Sequence, residues 1–133
     1  MASIRVGFFE DFKGADTLLL DVEHEGLNAL IALLQAVASS GRRMKISACP
    51  GSVVQSGVAV DLLRTVGDTG LVRASGTEFV WHRSEDGWAE VIEKLAAMRT
   101  GACHQYLDGP RDAVRIMVSI GEYGDAWWQR HDS

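Results

Sequence analysis

The strongest constraint in this sequence is a pattern that occurs twice. "TLLLDVEHEGLNALIALLQAVASSG" begins at Thr17, and "TEFVWHRSEDGWAEVIEKLAAMRTG" begins at Thr77. At a fixed offset of 61 positions (87 − 26), Gly26 meets Gly87, Leu27 meets Trp88 and Leu30 meets Val91. Ile31 then meets Ile92, Leu34 meets Leu95 and Val37 meets Met98. Spacing of i, i+3, i+4, i+7 and i+10 draws one apolar stripe along each segment at the period of an α-helix. A helix with a single apolar stripe has to bury it against another layer, so both helices should cover a sheet in the same way.

The helix ends are legible. Ser84 has the side chain of an N-cap, and Glu85 and Asp86 follow in the first turn against the positive helix end. Glu90 and Lys94 form an i,i+4 pair in the favoured order. Gly41 and Gly101 stand where a left-handed C-cap would end each helix. Asp21 or Glu23 is expected to start the first helix.

Strand-like segments flank both helices: Ile4 to Phe9, Leu18 to Val22, a weaker Met44 to Ala48, and Val58 to Val66. Leu71 to Ala74 and Thr77 to Arg83 surround "SG", and Ala102 to Leu107 and Ala113 to Ile120 surround "DGPRD". "GSVVQSG" reads as a loop or an irregular edge. The order is ββαββ twice over. Short turns between neighbouring strands favour antiparallel pairing. The expected class is α+β: a two-layer sandwich, a mainly antiparallel sheet with two amphipathic helices on one face, and a tandem ββαββ pseudo-repeat. No Pro-, Gly- or Ser-rich linker divides the chain, so 1–133 is read as one domain with structural halves 1–67 and 68–133.

A chain of 133 residues with 23% charged residues has ordinary globular composition and can bury a core without disulfides or metal. Thirteen basic against eighteen acidic residues leave a formal charge of −5. Such a surface repels phosphate backbones, so nucleic acid is not an expected partner, and it suits a basic partner or plain solubility. "MASIRVGFFED" is too short in its apolar part for a secretory signal, and no apolar run reaches membrane-spanning length. The expectation is a cytoplasmic protein with no membrane partner. Cys49 and Cys103 form no CxxC and are read as buried free thiols.

Candidate chemistry centres on "ACHQYLDGPRDAVRIMVSIGEY", residues 102–123. Alternation along a strand puts His104 and Tyr106 on one face, beside Arg115 and Ser119 of the returning strand. Glu122 lies between Gly121 and Gly124 and can reach back to His104. His104 as acid–base, Tyr106 as hydrogen-bond donor and Glu122 as orienter are the candidate catalytic residues; Arg115 and Ser119 are candidate ligand-binding residues. The competing reading is the wet side of a sheet with ordinary cross-strand pairs.

No other motif rises above it. His24, His82, His104 and His131 fall at no metal-ligand spacing, and Asp21, Glu23 and Glu25 look like an acidic first turn, so neither metal nor cofactor is expected. Cys49 beside Pro50 has no base tied to it, "GSVVQSG" lacks the lysine of a phosphate loop, and "GDTG" reads as a turn. Trp127 and Trp128 close to the C-terminus either fold back over the sheet or anchor a partner. The sequence favours a non-catalytic protein-binding module with a protein partner or a second copy of itself. An inhibitor- or immunity-like role enters by class analogy of size, charge and α+β character. The alternative is a small-ligand-binding protein or enzyme with a pocket built from the 102–123 hairpin.

Overall fold

A computed structural model describes residues 3–55, 57–101, 103–107 and 114–131. The expected turn at "DGPRD" and the position of Ala102 lie outside the described residues. The chain is an α+β sandwich, mostly antiparallel, with nine described strands and three helices. Hairpin β1 (Ile4–Phe12) and β2 (Ala15–Val22) leads into α1 (His24–Ser40), then β3 (Met44–Lys45) and a 3₁₀ turn at Ile46–Ala48. Next come β4 (Ser52–Val54), β5 (Ala59–Arg64), and hairpin β6 (Gly70–Ser75) and β7 (Glu78–Arg83). Then α2 (Glu85–Ala97) precedes β8 (His104–Tyr106), β9 (Arg115–Ile120) and α3 (Asp125–His131).

The strands divide between two sheets, ordered β4-β1-β2-β9-β8 and β3-β5-β7-β6. The two halves of the chain exchange strands between them. Each sheet pairs the hairpin that precedes a helix with strands that follow the other half's helix. Thr17 to Val22 run parallel to Arg115 to Ile120, and Glu78 to Arg83 run parallel to Ala59 to Arg64. The offset between the leading strands is 61 (78 − 17) and between their partners 56 (115 − 59), constant along both junctions. Both junctions are parallel and run ungapped over six residue pairs. β4 departs from the repeat. It lies parallel to β1 as an edge strand where the sequence suggested a loop or irregular edge.

Both apolar stripes face one continuous core. Leu27, Leu30, Ile31, Leu34 and Val37 of α1 meet Trp88, Val91 and Leu95 of α2, and the inner faces of both sheets close around them. Inner residues include Leu18, Leu20, Ile116 and Val118 from one sheet and Val60, Leu62, Phe79 and Trp81 from the other. Ser84 caps α2 by accepting from the Gly87 N–H at 3.0 Å, and Glu90 pairs with Lys94 at 3.8 Å. Gly41 ends α1 in the left-handed conformation, φ 71°.

Of Asp21 and Glu23, it is Glu23 that stands at the N-cap of α1, without a side-chain cap bond, while Asp21 points to the other face of the sheet. Two local expectations change. Helix α2 stops at Ala97 with Met98 as C-cap, three residues before Gly101, its last turn closing through bonds from Met98 and Arg99. Cys49 is buried but Cys103 is exposed, one residue before β8 begins at His104. No helix among the described residues is long and apolar enough to cross a membrane.

Candidate functional site

The five-stranded sheet has an outer face that is not part of the main core, and this face carries the polar residues singled out in the sequence. Alternation puts Arg5, Gly7 and Phe9 of β1 there, with Thr17, Leu19 and Asp21 of β2 and Arg115, Met117 and Ser119 of β9. His104 and Tyr106 of β8 complete it, facing Ser119 and Met117 across the strand pair. Helix α3 lies over the apolar middle of the face. Trp128 is buried against Leu19 and Met117 in a second, smaller apolar cluster.

His104, Tyr106 and Glu122 come together as the spacing suggested. His104 Nδ1 lies 3.4 Å from Glu122 Oε1. The His104 and Tyr106 rings stand 6.0 Å apart, edge to face. Arg115 sits over the Tyr106 ring at 5.2 Å. Its guanidinium also donates to Thr17 Oγ1 at 3.1 Å, to the Lys13 carbonyl at 3.3 Å and to the Phe12 carbonyl. Arg115 thus ties the tip of the β1–β2 hairpin to β9. Ser119 is fully buried and donates to Asp21 Oδ1 at 2.8 Å.

Asp21 is the polar hub of the face. Burial raises its pKa above the usual carboxylate value. Hydrogen bonds from Ser119, from the Trp128 indole and from the backbone N–H groups of Tyr123 and Glu122 oppose that shift without cancelling it. These donors belong to β9, to the segment after it and to α3, so one carboxylate fixes where the C-terminal helix docks. Arg5 and Asp125 add an ion pair at the start of α3. A cleft of about 310 Å³ opens here, lined among others by Arg5, Asp21, Glu23, Tyr123 and Asp125. His104, Tyr106 and Glu122 do not line it. No group of three or more His, Cys, Asp or Glu side chains among the described residues is arranged to hold a metal ion.

Trp127 and Trp128 fold back over the sheet and differ in burial. Trp128 is buried, whereas Trp127 is half-buried among Phe9, Phe12 and Tyr123. Ring centroids in this group lie 5.1 Å apart for Phe9 and Trp127, 6.0 Å for Phe12 and Trp127 and 4.7 Å for Tyr123 and Trp127. His131 stacks on Trp127 at 4.1 Å. Between α3 and the tip of β1 runs an open groove of about 470 Å³, lined by Phe9, Glu10, Asp11, Phe12, Trp127 and His131 among others. A register shift between Phe9 and Phe12, with Asp11 at φ 51°, swings Phe12 onto the outer face.

The sequence reading did not single out Asp21 as the hub, nor Phe9 and Phe12 as part of the site. "FFEDFKG" held the signal for Phe9 and Phe12: three aromatics interrupted by two acids do not fit strict alternation, which marks a bulge. Asp68 of "GDTG" takes a structural role. It accepts from Arg83 Nε at 2.6 Å and Nη2 at 3.1 Å, and from the Ser84 N–H at 3.1 Å. On the outer face of the second sheet, Arg43 and Lys45 flank Asp61. Comparison with protein-family models finds no match for this sequence, and a search of curated proteins finds no significant relative.

Proposed function

We propose that the protein is a non-catalytic binding module that docks another protein on the outer face of its five-stranded sheet, beside α3. The observation that carries this reading is the cluster of Phe9, Phe12, Tyr123 and Trp127, half-buried and separate from the main core. A chain whose described residues already close a core of twenty-six buried side chains gains little stability from four more aromatics left half in water. Half-exposed aromatic groups of this kind are the usual composition of binding hot spots. An inhibitor- or immunity-like role fits the size and negative charge of the chain, and the cytoplasm is the compartment it suits.

The test is site-specific photo-crosslinking in extract of the cell that makes the protein. A benzophenone side chain replaces Trp127 in one variant and Val72, on the second sheet, in another. The expected result is one protein captured from position 127 and not from 72. With that protein purified, binding should weaken at least tenfold in Phe12→Ala. Equal capture from both positions, or unchanged binding in Phe12→Ala, rejects the reading.

A second reading retains a specific observation in its favour. The His104–Glu122 contact at 3.4 Å, with Tyr106 beside it, is a candidate small-ligand or acid–base site on the hairpin. A fragment screen by NMR that produced saturable shifts at these three residues would favour it over protein docking.

A further inference from the structure

The groove between β1 and α3 has a chemistry that narrows what can fill it. Its walls are the aromatic rings of Phe9, Phe12 and Trp127, with His131 covering one face of Trp127, and its rim carries the exposed carboxylates of Glu10 and Asp11 beside the ammonium of Lys13. Among the described residues neither Glu10 nor Asp11 has an ion-pair partner; the Asp11 backbone N–H is held by Asp16 at 3.0 Å. Aromatic faces attract cations through the ring quadrupole, tryptophan most strongly, and nearby carboxylates add to the attraction. The chain's own Lys13 already lies 5.9 Å from the centre of the Phe12 ring. The whole molecule, at −5, attracts basic partners over longer range.

We propose that this groove seats a lysine or arginine side chain, presented by a basic extended segment of the partner protein. The inference rests on the protein-binding reading above and adds the chemistry of the contact. A guanidinium or ammonium packed against Trp127 and Phe12 meets Glu10 and Asp11 at the rim. With two carboxylates against the single Lys13 ammonium, the rim favours a cation over an acidic or phosphorylated segment. The groove is apolar enough to accept the aliphatic stem of either side chain while its charged head stays at the wet rim.

The experiment titrates the full chain with N-acetyl-arginine methylamide, N-acetyl-lysine methylamide and the neutral isostere N-acetyl-citrulline methylamide, followed by NMR. The expected result is saturable shifts at the Trp127 indole and the Phe9 and Phe12 rings with both cations. Citrulline should bind at least about threefold more weakly, the scale of one exposed charge contact. The double variant Glu10→Gln/Asp11→Asn should lose the preference while the Trp128 indole signal stays in place, which reports an intact fold. Equal binding of citrulline, shifts elsewhere, or an unchanged preference in the double variant overturns the inference. Cross-linking at position 127 without any cation preference overturns this inference and leaves the protein-binding reading standing. Cation binding without a cross-linked partner overturns the protein-binding reading instead.

Discussion

Ser119 donates its hydroxyl to Asp21 at 2.8 Å across the parallel pair of β2 and β9, joining residues 98 positions apart. The contact welds the first hairpin of the chain to its last strand, on the face opposite the main core. It also sits beneath α3, whose Trp128 indole donates to the other Asp21 oxygen at 3.5 Å.

That position makes the stability of the protein depend on pH in a direction opposite to most carboxylates. Burial, the main cause, raises the Asp21 pKa. A carboxyl whose folded pKa exceeds its unfolded one binds its proton more readily in the folded state. Its contribution is therefore most favourable at low pH and is lost as pH rises through the folded pKa. Asp21→Asn removes this titration. Urea midpoints of the native protein relative to Asp21→Asn should fall as pH rises above the ordinary aspartate value of about 3.9. A difference that stays flat or rises with pH contradicts the assignment.

Asp68 should behave the other way. The hydrogen bond from Arg83, helped by the Ser84 N–H and the Arg83 charge, holds its pKa below the usual value. Such a group stabilises above the unfolded pKa, and that stability is lost as pH falls through the folded pKa. Asp68→Asn leaves Arg83, 3% exposed, without its charge partner. The expected cost at neutral pH is about 3 kcal/mol, the lower end for one-sided removal of a buried pair because water reaches Asp68. The variant should also lose less stability on acidification. Chemical denaturation at two pH values measures both.

Leu34 and Leu95 are fully buried where α1 and α2 meet the sheets. Truncating either to Ala should cost about 2–5 kcal/mol. Unchanged denaturant midpoints in both variants would refute the packing of the two stripes.

Gly7 lies directly beneath the C-terminal helix. A Cβ added there would sit 2.8 Å from Trp128 Cζ3 and 2.9 Å from Phe9 Cε2. Gly7→Ala should displace α3 and cost about 1–3 kcal/mol by overpacking, with the main core intact. The readout is a shift of the Trp128 indole N–H signal in NMR with Trp81 and Trp88 unmoved. Movement of all three would mean that the outer cluster is not separable from the core.

The two thiols should differ in reactivity. Cys49 is buried, and burial pushes its pKa up to about 11. Cys103 is exposed. Iodoacetamide at neutral pH should label Cys103 first and reach Cys49 only on unfolding, because the thiolate is the reacting form. Peptide mass spectrometry separates the two sites. Faster labelling of Cys49 would point to an activated nucleophile.

Much of this fold was legible because it is written in short-range periodicity. The stripes of α1 and α2, the Ser84 cap, the Gly41 C-cap and the alternation of β9 depend on residues within a few positions of one another. The same local logic placed His104 and Tyr106 on one face and returned Glu122 to His104, since a hairpin brings its ends together. Local reasoning failed at Gly101 and Cys103. There the end of α2 and the start of β8 are decided by how far packing continues, and no single residue marks that point.

What the tertiary structure alone decided is which distant strands meet. Nothing near Thr17 specifies that it runs beside Arg115, or that Glu78 runs beside Ala59. Both junctions are parallel, and parallel neighbours need a long crossover, so their pairing depends on the global packing of two hairpins and two helices. The docking of α3 is of the same kind. Asp21 reads in the sequence as a helix-start acid, and only the arrival of Ser119, Tyr123 and Trp128 from the far end of the chain turns it into a buried hub. Amphipathic elements follow from local side-chain order; a polar site assembled from residues about a hundred positions apart follows from topology, because hydrogen bonds form only between groups that packing has already brought within reach.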